Sequence, residues 1–268
     1  MTDRNRPDGS DALQASLFQP GPPVPVSVPI RARGLNQWEE RTASRVGDPI
    51  LLEGDIRIDP PDGSFDRGLV ERGLGWTGDL WLDGVVIYEI SGADAGLVAA
   101  AIRHWETRTA IRFREDPSAF DRLSFIDAGA CWSYVGRTGG PQLLSLNFDC
   151  ALGSAIHEIG HAVGLWHEQS RKDRDAHVEI VTANILPDQR HNFEQHILDG
   201  IDLGTYDYGS IMHYPPLAFS RNDEPTIIPR NGQVIGQRDA LSPGDIAAVR
   251  LLYPDLDWDT VAPDADGA

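Results

Sequence analysis

The chain has 268 residues and a formal net charge of −18, with 41% apolar and 24% charged residues. That composition suits a folded, soluble protein with a buried core, and so negative a chain repels phosphate backbones, which argues against nucleic acid as a partner. No run approaches the ~20 apolar residues needed for a membrane span, and the N-terminus has no apolar stretch of the secretory-signal kind.

In chain order, residues 1–34 are polar and proline-rich. Gln19-Pro20-Gly21-Pro22-Pro23-Val24-Pro25 favours polyproline II, so this segment reads as disordered. The next stretch is mixed, with a short helix predicted over Asn36–Ser44 and extended chain over Ile50–Ile58. Turn chemistry at Pro60-Pro61-Asp62-Gly63-Ser64, followed by closely spaced glycines, marks Pro60–Gly75 as an exposed connection.

The main domain begins near Trp76. Val85–Ile90 is rich in β-branched residues and reads as a strand. Leu97, Val98, Ala101, Ile102 and Trp105 have helical spacing within Ala95–Thr109. Strands are expected at Ile111–Arg114, Ser124–Asp127 and Leu143–Phe148, and a second helix at Ser154–Leu165. Ser242 as N-cap, Pro243 at the first helical position and Asp245 in the first turn open a third helix running to about Leu252. The acidic tail Asp255–Ala268 reads as loose. Strands and a helix followed by irregular chain and a last helix indicate an α+β fold.

The chemistry is concentrated in His157-Glu158-Ile159-Gly160-His161-Ala162-Val163-Gly164-Leu165-Trp166-His167. His157 and His161, four residues apart, face the same way on a helix and can share one zinc ion. Glu158 lies on an adjoining face, placed to act on a water at the metal rather than to ligate it. Gly164 can end the helix in a left-handed conformation and turn the chain back, delivering His167 as a third ligand. Three histidines leave a coordination position open, as catalytic zinc requires. About 45 residues on, Ser210-Ile211-Met212-His213-Tyr214 supplies a methionine turn, with Met212 as an apolar floor and the Tyr214 hydroxyl within reach of the metal or an oxyanion. The remaining histidines, among them His104, His177, His191, His196 and His213, have no ligand spacing and read as structural or solvated.

Over about Leu74–Tyr253 the chain resembles the astacin family of zinc endopeptidases. The likeness lies in His167-Glu168-Gln169-Ser170-Arg171-Lys172-Asp173-Arg174-Asp175, the methionine turn, Cys131-Trp132-Ser133-Tyr134-Val135-Gly136, Trp81–Tyr88 and Leu241–Tyr253. The resemblance implies a zincin-like catalytic domain over 74–254. Two subdomains would flank a cleft, with a twisted, mostly parallel sheet and an antiparallel edge strand in the N-terminal one. It implies one zinc on His157, His161 and His167, with Glu158 as general base. Tyr214 would be a ligand that swings off to stabilise the transition state. Glu168 would meet the N-terminus of the activated chain, and Leu143–Phe148 would be the edge strand that takes substrate.

The resemblance also pairs Cys131 with Cys150, a closure worth roughly 3 kcal/mol in the loop-entropy model. The family's second disulfide has no cysteines here. It makes 35–73 an inhibitory pro-segment and activation linker, because Leu52-Glu53-Gly54-Asp55-Ile56 resembles the family's aromatic-x-Gly-Asp motif whose aspartate binds the zinc. An activating protease would cut near Arg67 or Arg72. Arg238, in Ile235-Gly236-Gln237-Arg238, resembles an arginine that lines the pocket past the scissile bond. Protein or peptide substrates and secretion follow from the same likeness, although no signal is visible. Two other readings use the same motifs: a non-catalytic peptide-binding member of the fold, and a different metzincin hydrolase. The retained Glu158 disfavours the first. The absence of cysteine from the N-terminal segment and the methionine-turn residues disfavour a matrixin-like version of the second.

Overall fold

The structure is a computed structural model that describes residues 24–31, 38–45, 50–58, 80–196 and 200–261. Its central layer is a four-stranded sheet in the order β6-β5-β7-β8, with β5 Val85–Ile90, β6 Arg112–Glu115, β7 Arg122–Ile126 and β8 Pro141–Ser145. All of its pairings are parallel. Antiparallel pairing enters only where Trp132 bridges Ser145 beside the outer strand.

Helices α1 (Ala95–Arg108) and α2 (Leu152–Val163) pack on this sheet. The spacing read from the sequence is the buried stripe: Val98, Ala101, Ile102 and Trp105 of α1 face inward. The Trp105 indole N–H donates to the carbonyl of Ile156 at 3.1 Å, tying α1 to α2. Helix α3 (Pro243–Leu252) starts as predicted, with Ser242 and Asp245 forming a reciprocal capping box. Its Asp245 carboxylate also accepts from Ser210 Oγ and the amide of Ile211, so the cap that starts α3 holds the methionine turn. A two-stranded sheet of β9 (Val178–Ile180) and β10 (Ile227–Pro229) belongs to the irregular second half.

The N-terminal segment departs from expectation. Val24–Arg31 (β1) and Trp38–Arg45 (β2) form an antiparallel pair, extended by β3 (Ile50–Leu52) and β4 (Ile56–Arg57) into a sheet of order β1-β2-β3-β4. Disorder is therefore wrong for 24–31, and helix is wrong for 38–44. The valines of Val24-Pro25-Val26-Ser27-Val28 alternate with polar or proline residues, a strand period that the proline content masked. Proline is tolerated there because β1 is an edge strand. The polar β2 has no propensity for a strand of its own, and pairing on both sides decides its conformation. Ala43, Ile50, Leu52, Ile56 and Ile58 bury against Val135 of the main domain, with Val26 and Trp166 packed alongside. At the other end, Trp258 is 9% exposed and sits in the main core, so the part of the tail up to residue 261 is anchored rather than loose. The predicted linker at 60–75, and residues 1–23 and 262–268, lie outside the described residues.

Candidate metal centre

Helix α2 carries His157, Glu158 and His161, all fully buried. It ends at Gly164, whose φ of 121° lies in the left-handed region that a side chain disfavours. The amide of Gly164 bonds back to the carbonyls of Gly160 and His161 at 3.2 and 2.8 Å, and the chain then turns to bring His167 beside the other two. The ring centroids of the three histidines lie 4.7 to 5.3 Å apart.

Each ring is oriented through its Nδ1. His157 Nδ1 bonds the carbonyl of Ile211 at 2.8 Å, His161 Nδ1 that of Leu165 at 2.8 Å, and His167 Nδ1 the carboxylate of Glu53 at 2.7 Å. A nitrogen that donates to oxygen leaves the other nitrogen of a neutral ring as an acceptor. The three Nε2 atoms are buried and have no hydrogen-bond partner. With one oxygen of Asp55 they lie within 4.8 Å of one another. Three converging imidazole nitrogens and a carboxylate form a donor set that fits zinc.

Asp55 approaches all three rings, at 3.3 Å from His157 Nε2, 3.7 Å from His161 Nε2 and 3.2 Å from His167 Nε2. Burial alone would raise its pKa, but the charge on His167 and the close approach of the three rings hold it well below the usual carboxylate range. His167 shows the reciprocal effect: burial works against its cation, yet Asp55 and Glu53 raise it to about 9. Glu158 is buried with neither oxygen hydrogen-bonded. Burial, reinforced by the charge of Asp55, pushes it well above its ordinary value. A carboxyl group so placed can hold a proton and exchange it with a group at the metal position.

Met212 is 1% exposed, and its sulfur lies against Gly160 of α2: a Cβ at Gly160 would fall 2.7 Å from it. Glycine inside a helix costs about 1 kcal/mol, and here that cost admits the methionine beneath the histidines. Tyr214 is buried with its ring centroid 4.7 Å from that of His167, and its hydroxyl donates to the backbone carbonyl of Glu53. Arg238 donates to the carbonyl of His213 at 2.9 Å. Burial lowers its pKa, and the charges of nearby Asp55 and Glu158 oppose that shift.

Glu168 accepts from the amide of Asp207 at 2.6 Å and lies 3.6 Å from Arg171. It lines a cavity with Gly164, Leu165, Leu203 and Ala248. Cys131 and Cys150 are joined in a disulfide.

The outermost backbone beside the site is not Leu143–Phe148, as expected, because Trp132 covers Ser145 through a pair of hydrogen bonds at 2.9 and 3.2 Å. The outer edge is 132–134. Ser133 donates to the carbonyl of Asp55 at 3.0 Å and accepts from the amide of Arg57 at 2.7 Å.

Glu53 escapes a reading of the sequence alone. One carboxylate oxygen takes His167 Nδ1; the other takes the Ser170 hydroxyl and His196 Nε2, the latter at 2.9 Å. His196 in turn packs tilted against Trp166, with centroids 4.0 Å apart and the ring planes at 38°. A glutamate in a polar-looking stretch carries no burial signal, and its partners lie more than 110 positions away.

This geometry defines a metal centre of the metzincin type. Comparison with known proteins goes further: residues 76–254 match the family described as Astacin (Peptidase family M12A), and the chain belongs to that family. It is 41% identical over 190 residues to Blastula protease 10 of Paracentrotus lividus, covering 65% of this chain and 32% of that protein. It is 46% identical over 190 residues to human Tolloid-like protein 2, covering 65% of this chain and 19% of that one. It is 40% identical over 224 residues to Zinc metalloproteinase nas-15 of Caenorhabditis elegans, covering 75% and 39%. The chain thus spans well under half the length of these relatives. Among solved structures it resembles High choriolytic enzyme 1 of Oryzias latipes, a hatching enzyme zinc-protease. The TM-score is 0.60 and the identity 38%, over 66% of this chain and 93% of that one. No helix among the described residues is long and apolar enough to cross a membrane.

Proposed function

We propose that this chain is a zinc-dependent endopeptidase kept latent by its own residues 50–58. The observation that carries the reading is the convergence of three unpartnered Nε2 atoms on the Asp55 carboxylate in a buried site. Family membership and the names of the relatives, a protease, a zinc metalloproteinase and a hatching zinc-protease, support the activity.

His157, His161 and His167 would hold zinc, with the carboxylate of Asp55 as a further donor until the segment leaves. Bound there, zinc would supply Lewis acidity and make a nearby water acidic enough to deprotonate near neutral pH. Glu158 takes the proton of the attacking water and passes it to the leaving amine. Its raised pKa, a consequence of burial and of Asp55, suits a group that must carry a proton between the two. Departure of Asp55 removes the negative neighbour and readies Glu158 as the base. The hydroxyl of Tyr214, released from the carbonyl of Glu53 at the same moment, becomes a donor to the developing oxyanion. The extended substrate pairs with the edge at 132–134, which residues 55–57 now occupy. Arg238 favours an acidic residue just past the scissile bond by charge complementarity in a partly desolvated pocket.

Activation is a cut near Arg67 or Arg72 by another protease, after which the new N-terminus reaches Glu168. Secretion and protein substrates are proposed with the activity. The test compares peptide hydrolysis by uncut wild type, uncut Asp55→Ala and proteolytically trimmed protein. Latent wild type, with gain of activity in the other two, is the expected result. Full activity in uncut wild type with no gain on trimming would sink the latency reading. Hydrolysis that no form performs, with or without added zinc, would sink the enzymatic one.

A further inference from the structure

The pro-segment does more than deliver Asp55. Two positions beyond it, Arg57 enters the edge at 132–134 with its backbone and an aromatic pair with its side chain. Its guanidinium carbon lies 4.7 Å from the ring centroid of Trp132 and 5.7 Å from that of Tyr134. Arg57 is 7% exposed, and the two rings 1% and 2%. Trp132 and Tyr134 are alternate residues of an extended segment and so present their rings on the same side. Leu51 belongs to the same buried apolar cluster as the two rings. Departure of residues 50–58 therefore uncovers two adjacent aromatic faces beside the metal, on the backbone that pairs with substrate. A guanidinium or ammonium over such faces is attracted by the ring quadrupole, more strongly when water is excluded.

We infer that Trp132 and Tyr134 form a subsite for an arginine or lysine side chain of the substrate, and that Arg57 is its internal occupant in the uncut chain. The inference rests on the reading that peptides are cleaved in this cleft. Direction follows from the pairing. The pro-segment runs parallel to the edge, with Ile56 bridging Ser133. Antiparallel pairing is the stronger arrangement, and a substrate that adopts it runs the opposite way. The side chain over the rings then belongs to about the second residue on the N-terminal side of the scissile bond.

One competing explanation has the same sign. A chain with a net charge of −18 draws basic peptides towards it in general. That effect is long-range and raises cleavage wherever the basic residue stands, whereas a subsite acts at one position. The test scans arginine, lysine, methionine and citrulline through each position of one peptide. Citrulline keeps the shape of arginine and removes its charge. The folded full chain, uncut and nicked by a serine protease that is then inactivated, is assayed in each case, and whichever form cleaves is profiled.

Arginine should exceed citrulline by roughly five- to tenfold at the second position before the bond and by far less elsewhere. In Trp132→Leu and Tyr134→Leu that ratio should fall towards one, while Tyr134→Phe, which keeps a ring, retains most of it. Equal cleavage of the arginine and citrulline peptides at that position overturns the subsite, as does the same gain at every position. Both outcomes are read on wild type alone, so neither depends on a variant that folds. If no form cleaves any peptide, the enzymatic reading fails by itself. Fluorescence anisotropy of labelled peptide 50–58, with arginine or citrulline at the position of Arg57, then decides the subsite on nicked chain freed of its own fragment. Tighter binding of the arginine form sustains it, and equal binding overturns it.

Discussion

Glu53 grips His167 at Nδ1, 2.7 Å away, while Asp55 meets Nε2 of the same ring at 3.2 Å. One short turn at residues 53–55 thus holds both nitrogens of a single imidazole. Glu53 pays for this with a φ of 50°, unusual for a residue with a side chain. Burial opposes its charge, yet the charges and hydrogen bonds of His196 and His167 hold its pKa far below the usual carboxylate range.

Glu53→Gln keeps the shape and removes the charge. A hydrogen bond to a charged group contributes about 1.5–3 kcal/mol, so the segment should leave the cleft more readily. Peptide hydrolysis by the uncut variant is expected to exceed that of uncut wild type by at least about tenfold. A variant as silent as wild type before trimming, and as active after it, would remove Glu53 from the latency device.

Glu158 and His161 are one helical turn apart yet should fail differently. Glu158→Ala should abolish peptide hydrolysis in trimmed protein and leave about one zinc per chain after dialysis, as the proposed role of proton carrier rather than ligand requires. His161→Ala should lose the zinc along with the activity. Elemental analysis separates the two. Zinc retained tightly by His161→Ala would count against the ligand set, and activity within tenfold of wild type in Glu158→Ala against the base.

The disulfide between Cys131 and Cys150 closes a loop that contains the edge at 132–134 and strand β8. In the loop-entropy model such a closure contributes about 3 kcal/mol. Paired serine substitutions should lower the free energy of unfolding in denaturant titrations by about that amount. No change would mean that the loop is held by its packing alone.

What is legible in the sequence follows from how local each signal is. His157, Glu158 and His161 share one helix, Gly164 ends it, and Ser242 with Asp245 caps another; each is a short-range rule that tertiary contacts do not override. The ligand role proposed for Asp55 is readable only through a resemblance, since a turn aspartate looks like any other. Glu53, His196 and Ser170 meet across more than 100 residues of chain, and no spacing announces the meeting. Strand β2 is polar and reads as a helix because its pairing partners, not its composition, fix its conformation. The edge reads as β8 for a similar reason: that a bridge from Trp132 covers Ser145 is a fact of topology.

Glu168 should make stability depend on pH, and differently before and after the cut. Burial raises its pKa to about 8, with the charges of Asp245 and Asp207 adding to the rise and Arg171 and the amide of Asp207 opposing it. The folded value is above the unfolded reference of 4.5. The folded chain therefore binds the extra proton, and the contribution to stability, complete below the unfolded value, is lost as pH rises through the folded one. In uncut protein the melting temperature of wild type relative to Glu168→Gln should fall steadily between pH 4.5 and about 8. Trimming should change this. An α-ammonium entering the cavity lined by Gly164, Leu165 and Arg171 would stabilise the carboxylate, pull its pKa down and flatten or reverse the slope. The comparison is therefore of two slopes, wild type minus variant, before and after the cut. If they are identical, no N-terminus reaches Glu168, and its buried carboxyl serves only to hold the amide of Asp207.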